Sequence, residues 1–306
     1  MGIESKYIWM DGALVEYEKA TVPFLNTALH YGLGVFEGIR CYATPRGPAV
    51  FRLPEHMERL VNSAKVLGFR ELPYSAGELV TAAKDTVRAN GLQSCYIRPL
   101  IYHTSSNPNL NLDSGYARVG IAAWEWGAYL GDDAREKGVR ANISSYTRHH
   151  ANISMTKAKI TGNYTNSVLA KTESARLGFE EAIMLDPQGY VAECTGENLF
   201  LVRNGVIYTP QTATVLEGIT RDALITLARE LGYTVTEQMV SRDQLYIADE
   251  VFVCGTAAEV VALTEIDFRK IGCGRMGPVS HRLQNAFHAV VSGDHPRSNG
   301  WLSYVN

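Results

Sequence analysis

No run in this 306-residue chain reaches the roughly 20 apolar residues that a membrane-crossing helix needs. The N-terminal MGIESKYIWMDG also lacks a basic stretch followed by a long apolar one, so the expected setting is the cytoplasm, with no membrane partner. Cysteine is scarce. Cys41, Cys95, Cys194, Cys254 and Cys273 are scattered, odd in number and without CxxC spacing. That argues against a disulfide framework or a thiolate zinc site, and predicts free thiols in a reducing compartment. Densely basic stretches interleaved with aromatics are missing, and a net charge of -3 gives nucleic acid no electrostatic invitation. GxSxG, HExxH and GxxxxGK[ST] are absent, and GCGRMG, which has GxGxxG spacing, is loop-like, a turn before the last helix, so nothing marks a serine nucleophile, a zinc hydrolase or a common nucleotide fold. No metal ligand set is predicted; His149 and His150 are adjacent, which suits a turn better than shared ligation.

What remains is an ordinary soluble composition, 46% hydrophobic and 20% charged, at a length that suggests two domains. Asp11-Gly12 in YIWMDGALV and Asn204-Gly205 before VIYTP supply the positive φ angles of tight hairpins. A further hairpin is predicted from VFEGIRCYA and AVFR around TPRGP. In LPEHMERLVNSAKVLGF, Met57, Leu60, Val61, Ala64 and Leu67 recur at helical spacing toward Gly68. A second helix is predicted over 76–90, and strands in SCYIRPLIYH and YARVGIAAWEW. The polar, glycine-flanked GAYLGDDAREKG predicts a connection over 127–135 between domains 1–126 and 136–306. Beyond it the pattern predicts a strand near Val139, a helix in NYTNSVLAKTESARLG and a strand meander from EAIMLD. Helices at GITRDALITLARELG and PVSHRLQNAFHAVV flank strands in YTVTEQMV and DEVFVCGTA. The fold class is α+β, with mostly antiparallel sheets.

Individual signals for chemistry are each open to a plain alternative. Gly218 and Thr220 at the mouth of the helix in LEGITRDAL could receive an anion on unpaired amides, but on local sequence a Thr cap is favoured. CGTAAE could gather N–H groups around an oxyanion, or simply end a strand. Glu193, Thr195 and Glu197 share a side of an extended segment, with a bulge expected at Gly196; their carboxylates could hold a ring nitrogen or form a solvated edge. Arg59, four residues after Glu55, reads by default as a surface ion pair. Two lysines, Lys157 and Lys159, stand in MTKAKITGNYTNS, and periodicity does not choose between them, since both point the same way in an extended segment.

Taken in order, YGLGVFEGIRCY, HMERL, YIRPLIY, WGAYLG, AKITGNYTNS, GYVAECTGENLF, GITRDAL and DEVFVCGTAAE run along almost the whole chain. In this set the chain resembles the branched-chain amino acid aminotransferases of the class-IV, fold-type-IV family, which use pyridoxal 5'-phosphate. GENLF, GITRD and GTAAE carry the superfamily resemblance, and VFEGIR with YIRP the branched-chain subgroup. The resemblance implies a small N-terminal α/β domain, a larger, mostly antiparallel pseudo-barrel domain that binds the cofactor, and a homodimer or a dimer-based hexamer.

It also implies roles. The cofactor-bearing lysine stands four residues before an Asn-Tyr pair, here Asn163-Tyr164, which selects Lys159 as the catalytic residue. Glu193 pairs with the ring nitrogen and Tyr164 with the phenolic oxygen. Arg59, the backbone at Gly218 and Ile219, Thr220 and Thr256 hold the phosphate. Tyr31, Phe36, Tyr96, Trp126 and Tyr129 surround the substrate, Thr256 and Ala257 receive its α-carboxylate, and Arg98 receives the distal carboxylate of glutamate. The implied reaction exchanges amino groups between Leu, Ile or Val and 2-oxoglutarate in a ping-pong cycle. The loop HTSSNPNLNLDSG departs from the family pattern, which leaves amines and aromatic amino acids open as substrates. On the same fold the alternatives are a D-amino acid or R-amine transaminase, aminodeoxychorismate lyase, or a catalytically silent cofactor-binding protein.

Overall fold

The computed structural model describes all residues except 1–4, 106, 108, 128–129 and 132. The chain divides into two compact units. The first comprises Met1–Trp126, Lys157–Asn163 and Val290–Asn306, and the second Gly127–Thr156 and Tyr164–Ala289.

The first unit is built on an antiparallel sheet. Its strands run in the order Leu302–Tyr304, Gly47–Phe51, Ile39–Thr44, Cys95–Thr104, Tyr116–Trp124, Tyr7–Met10 and Ala13–Glu16, with Gly34–Phe36 pairing Cys95–Thr104 off this path. Asp11 and Gly12 take φ of 46° and 97°, so the two-residue hairpin forms where the sequence predicts it. The helix Leu53–Leu67 ends at Gly68, whose φ of 105° is a left-handed cap that side chains adopt with strain. Helix Ala76–Ala89 starts in a capping box in which Ser75 and Glu78 satisfy each other's amides. The apolar faces of these helices, Leu53, Met57, Leu60 and Ala64 with Leu79, Ala83 and Val87, bury against Ile39, Ile97, Ile101 and Ile121 of the sheet. Truncating one of these leucines to alanine costs about 2–5 kcal/mol.

The second unit carries a mixed sheet. The order is Val191–Cys194, Glu181–Leu185, Val139–Ile143, Glu259–Ile266, Glu250–Gly255, Asn198–Arg203, Val206–Pro210 and Val235–Gln238. Val139–Ile143 is parallel to both its neighbours, as are the last two strands to each other, and the remaining pairings on this path are antiparallel. Val191–Cys194 also packs against Asn198–Arg203 and Val206–Pro210, which curls the sheet into part of a barrel. The strand Glu259–Ile266 is missing from the sequence reading. Its run EVVALTEI follows directly on the CGTAAE turn and is buried on both faces along Val260–Leu263, so it shows no period-2 alternation. Among the described residues, no helix is long and apolar enough to cross a membrane.

Candidate active site

The lysine segment belongs to the first unit. Ala158 and Ile160 point into its core, and Val35 bridges Ile160. The Lys159 N–H donates to Ser63 Oγ at 3.0 Å, and its carbonyl accepts from the Phe36 N–H at 3.0 Å. Its backbone is therefore held from two sides. Residues 156–158 form a turn, so the two lysines differ in depth: Lys157 is exposed and Lys159 is half-buried.

Around Lys159 the first unit gathers aromatic rings and cations. Lys159 Nζ lies 5.0 Å and the Arg98 guanidinium 4.8 Å from the centre of the Phe36 ring. Arg98 also lies 5.3 Å from the Tyr96 ring, and its Nη2 donates to the Tyr96 hydroxyl at 3.4 Å. Its Nε is buried without a hydrogen-bond partner. Tyr96 meets Trp126 edge-on at 4.4 Å. Gly38 is dictated by this packing, because a Cβ there would fall on the Tyr96 hydroxyl. Tyr31 ends the short helix Thr27–Tyr31 and is half-exposed beside His30. Tyr129 lies outside the described residues.

Glu55 bonds Arg52, and Arg59 reaches a different carboxylate. Its Nε and Nη2 donate to the two carboxylate oxygens of Glu37 at 2.6 and 2.9 Å, and His56 Nδ1 lies 2.7 Å from the same carboxylate. Glu37 is fully buried. Burial would push its carboxyl up, but the Arg59 and His56 charges and hydrogen bonds outweigh that and hold it well below the usual carboxylate range. Burial moves His56 below its ordinary value, against the pull of Glu37.

In the second unit, Glu193 is buried rather than on a solvated edge. Its Oε1 accepts from Arg148 at 2.9 and 2.8 Å, and Oε2 from the Leu216 N–H at 3.2 Å and Asn198 Nδ2 at 3.3 Å. Arg148, itself buried, also donates to Ser167 at 2.9 Å. The expected bulge is a full turn: the strand stops at Cys194 and resumes at Asn198. Within it Thr195 donates to Glu181, and Glu197 is buried with its carboxyl pushed up to about 8, first by burial and then by Glu181.

The favoured Thr cap is overturned. Gly218 caps the helix Ile219–Glu230 with no side-chain hydrogen bond, and Thr220 is a buried residue of the first turn. A Cβ at 218 would land on Asn198 Oδ1, so glycine is required there. Thr256 and Ala257 lie in the hairpin loop between Gly255 and Glu259, and Tyr164 opens the helix Tyr164–Arg176.

These groups fit pyridoxal phosphate by their chemistry. A helix mouth without a side-chain cap offers amides to a phosphate, with Thr220 and Thr256 as hydroxyls in the same unit. A buried carboxylate fixed by three neighbours can hold a protonated ring nitrogen, and a half-buried lysine can supply the amine. Sequence reasoning assigned no role to Glu37, His56, Ser63, Arg148 or Asn198. Glu37 and Asn198 lie inside VFEGIR and GENLF, and His56 opens HMERL; Ser63 and Arg148 carry no motif signal.

Comparison with known proteins agrees. The amino-transferase class IV family matches residues 34–266. The branched-chain-amino-acid aminotransferase of Pseudomonas aeruginosa is 49% identical over 298 residues, 97% of each chain. A solved branched-chain amino acid aminotransferase from T.th., with pyridoxamine 5'-phosphate, superimposes with a TM-score of 0.96 at 52% identity, covering 100% of both chains. Its complex with N-(5'-phosphopyridoxyl)-L-glutamate gives the same TM-score of 0.96 and identity of 52%.

Proposed function

The chain belongs to the amino-transferase class IV family, and from that membership we propose that it exchanges amino groups between branched-chain L-amino acids and 2-oxoglutarate, with pyridoxal 5'-phosphate as cofactor. The observation that carries this reading is the arrangement on Phe36, with the Lys159 amine and the Arg98 guanidinium 5.0 and 4.8 Å from one ring. An amine suits the chemistry at Cα, aromatic walls suit a Leu, Ile or Val side chain, and a half-buried cation suits the second carboxylate of glutamate. The unpartnered Arg98 Nε supports that last role, since a buried donor left unmade costs about 1–3 kcal/mol.

When bound, the cofactor supplies the electrophilic carbon that takes the amino group and an electron sink for the charge left when the Cα proton departs. Lys159 Nζ would take that proton from Cα as a base and deliver it to the cofactor's C4′ as an acid, and the second half of the cycle would run the same transfer in reverse. Glu193 keeps the ring nitrogen protonated, and Arg148, Asn198 and the Leu216 amide keep Glu193 in place. Tyr164 binds the phenolic oxygen. Arg59, the amides at Gly218 and Ile219, Thr220 and Thr256 bind the phosphate. Thr256 and Ala257 are assigned to the α-carboxylate, and Tyr31, Phe36, Tyr96 and Trp126 to the substrate side chain; Tyr129 carries the same assignment on the resemblance alone.

The assembly is proposed as a homodimer or a dimer-based hexamer. Large exposed apolar side chains support it, in the first unit Phe24, Leu25 and Leu29 at 76%, 63% and 62%. The five unpaired thiols support a reducing setting, the cytoplasm. The test is full-length protein loaded with pyridoxal phosphate and given 2-oxoglutarate with L-leucine, D-alanine or an R-configured amine. Glutamate formed chiefly from L-leucine is expected; preference for either other donor would reassign the substrate, and turnover with none would remove the enzymatic reading.

A further inference from the structure

We infer that Glu37, with His56, is a positioning residue: it fixes the Arg59 guanidinium for the cofactor phosphate and ties it to the segment that bears Lys159. The inference deepens the proposed function and rests on its assignment of Arg59 to the phosphate.

His56, Arg59 and Ser63 are spaced by three and four residues on the helix Leu53–Leu67, so they share one face. Two of them grip Glu37, and the third accepts the Lys159 N–H at 3.0 Å. Glu37 directly follows Phe36, whose N–H bonds the Lys159 carbonyl at 3.0 Å, and its own N–H bonds Pro99 O at 3.0 Å. One helix face and one strand end therefore hold the arginine and the lysine segment in register. The fork is side-on, with Nε and Nη2 each on a separate oxygen, which fixes the plane of the guanidinium as well as its position.

A purely stabilising role explains this cluster poorly. A fully buried carboxylate, a buried histidine and an arginine whose side chain is 15% exposed are costly to desolvate, and well-packed apolar residues usually serve stability as well or better. A charge-offsetting role makes the opposite prediction. If Glu37 only cancelled the charge of Arg59, removing it would strengthen attraction for a phosphate.

The experiment titrates the full-length apoprotein, wild type and variants, with pyridoxal 5'-phosphate and with pyridoxal, which lacks the phosphate. E37Q is expected to weaken binding of the phosphorylated form on the order of 10- to 100-fold, the loss usual for a residue that orients a ligand, while pyridoxal affinity stays within about twofold. E37D is expected to fall between wild type and E37Q. A folded E37Q with an unchanged or raised preference for the phosphorylated form overturns the inference; if R59Q then loses that preference, Arg59 remains the phosphate ligand. If R59Q keeps the preference, the Arg59 assignment fails and takes the inference with it. Should E37Q not fold, an unchanged ratio in E37D overturns the inference.

Discussion

Each unit buries a carboxylate against an arginine, and the two pairs are built differently. In the first, Glu37 offers both oxygens to the same guanidinium, and His56 completes the grip, so the carboxylate is saturated by the groups around Arg59. In the second, Arg148 donates to Oε1 of Glu193 while an amide and an asparagine donate to Oε2, and Arg148 is itself anchored to Ser167. The same two residue types thus serve opposite ends. Around Glu37 the carboxylate positions the cation; around Glu193 the cation positions the carboxylate. The difference teaches that a buried ion pair is read by asking which partner has further hydrogen-bonding groups fixing it, and which is the one being aimed.

The largest expected effect lies in the first unit. K159A should lower turnover by on the order of a thousandfold or more, since Lys159 is the group proposed to move the Cα proton, while K157A should leave it within about twofold. Steady-state kinetics of the two variants side by side check this. Next, R148M should strip Glu193 of its cation and cost about 3–5 kcal/mol in chemical unfolding, because the carboxylate stays buried and uncompensated. If R148M instead unfolds like wild type, Arg148 does not hold Glu193, and the contrast between the two pairs dissolves.

A smaller effect is expected at Arg98. R98M should raise KM for 2-oxoglutarate about ten- to a hundredfold, the worth of a hydrogen bond to a charged group, and change KM for L-leucine little. Equal changes for both would mean the guanidinium only packs on Phe36 and Tyr96. The smallest effect tests Glu197. Its carboxyl binds a proton more tightly folded, at about 8, than the ordinary value of 4.5, so the native state holds more protons across that window and stability falls as pH rises through it. E197Q should therefore lose less thermal stability than wild type between pH 5 and pH 9. A loss equal to that of wild type would show that Glu197 contributes nothing to the slope.

Local signals in the sequence carried much of the fold. Asp11-Gly12 and Asn204-Gly205 form their hairpins because few other residue pairs adopt positive φ twice, and the helix Leu53–Leu67 follows its own apolar period. The strand Glu259–Ile266 was illegible because burial on both faces erases alternation. Arg59 was misread for a related reason: helical spacing proposes Glu55, but the partner is 22 residues away on another element. At the helix mouth, local propensity favoured a threonine cap, yet the asparagine at 198 leaves room only for glycine at 218. The preference for Lys159 over Lys157 rests on the motif that follows them; the turn at 156–158, which gives the two their different depths, is one that periodicity does not reveal.

The measurement that tests the central claim most directly is borohydride reduction of the protein loaded with pyridoxal phosphate, followed by peptide mapping. The account predicts a single pyridoxyl label, on Lys159. A label on Lys157 or any other lysine, or none at all, would contradict it.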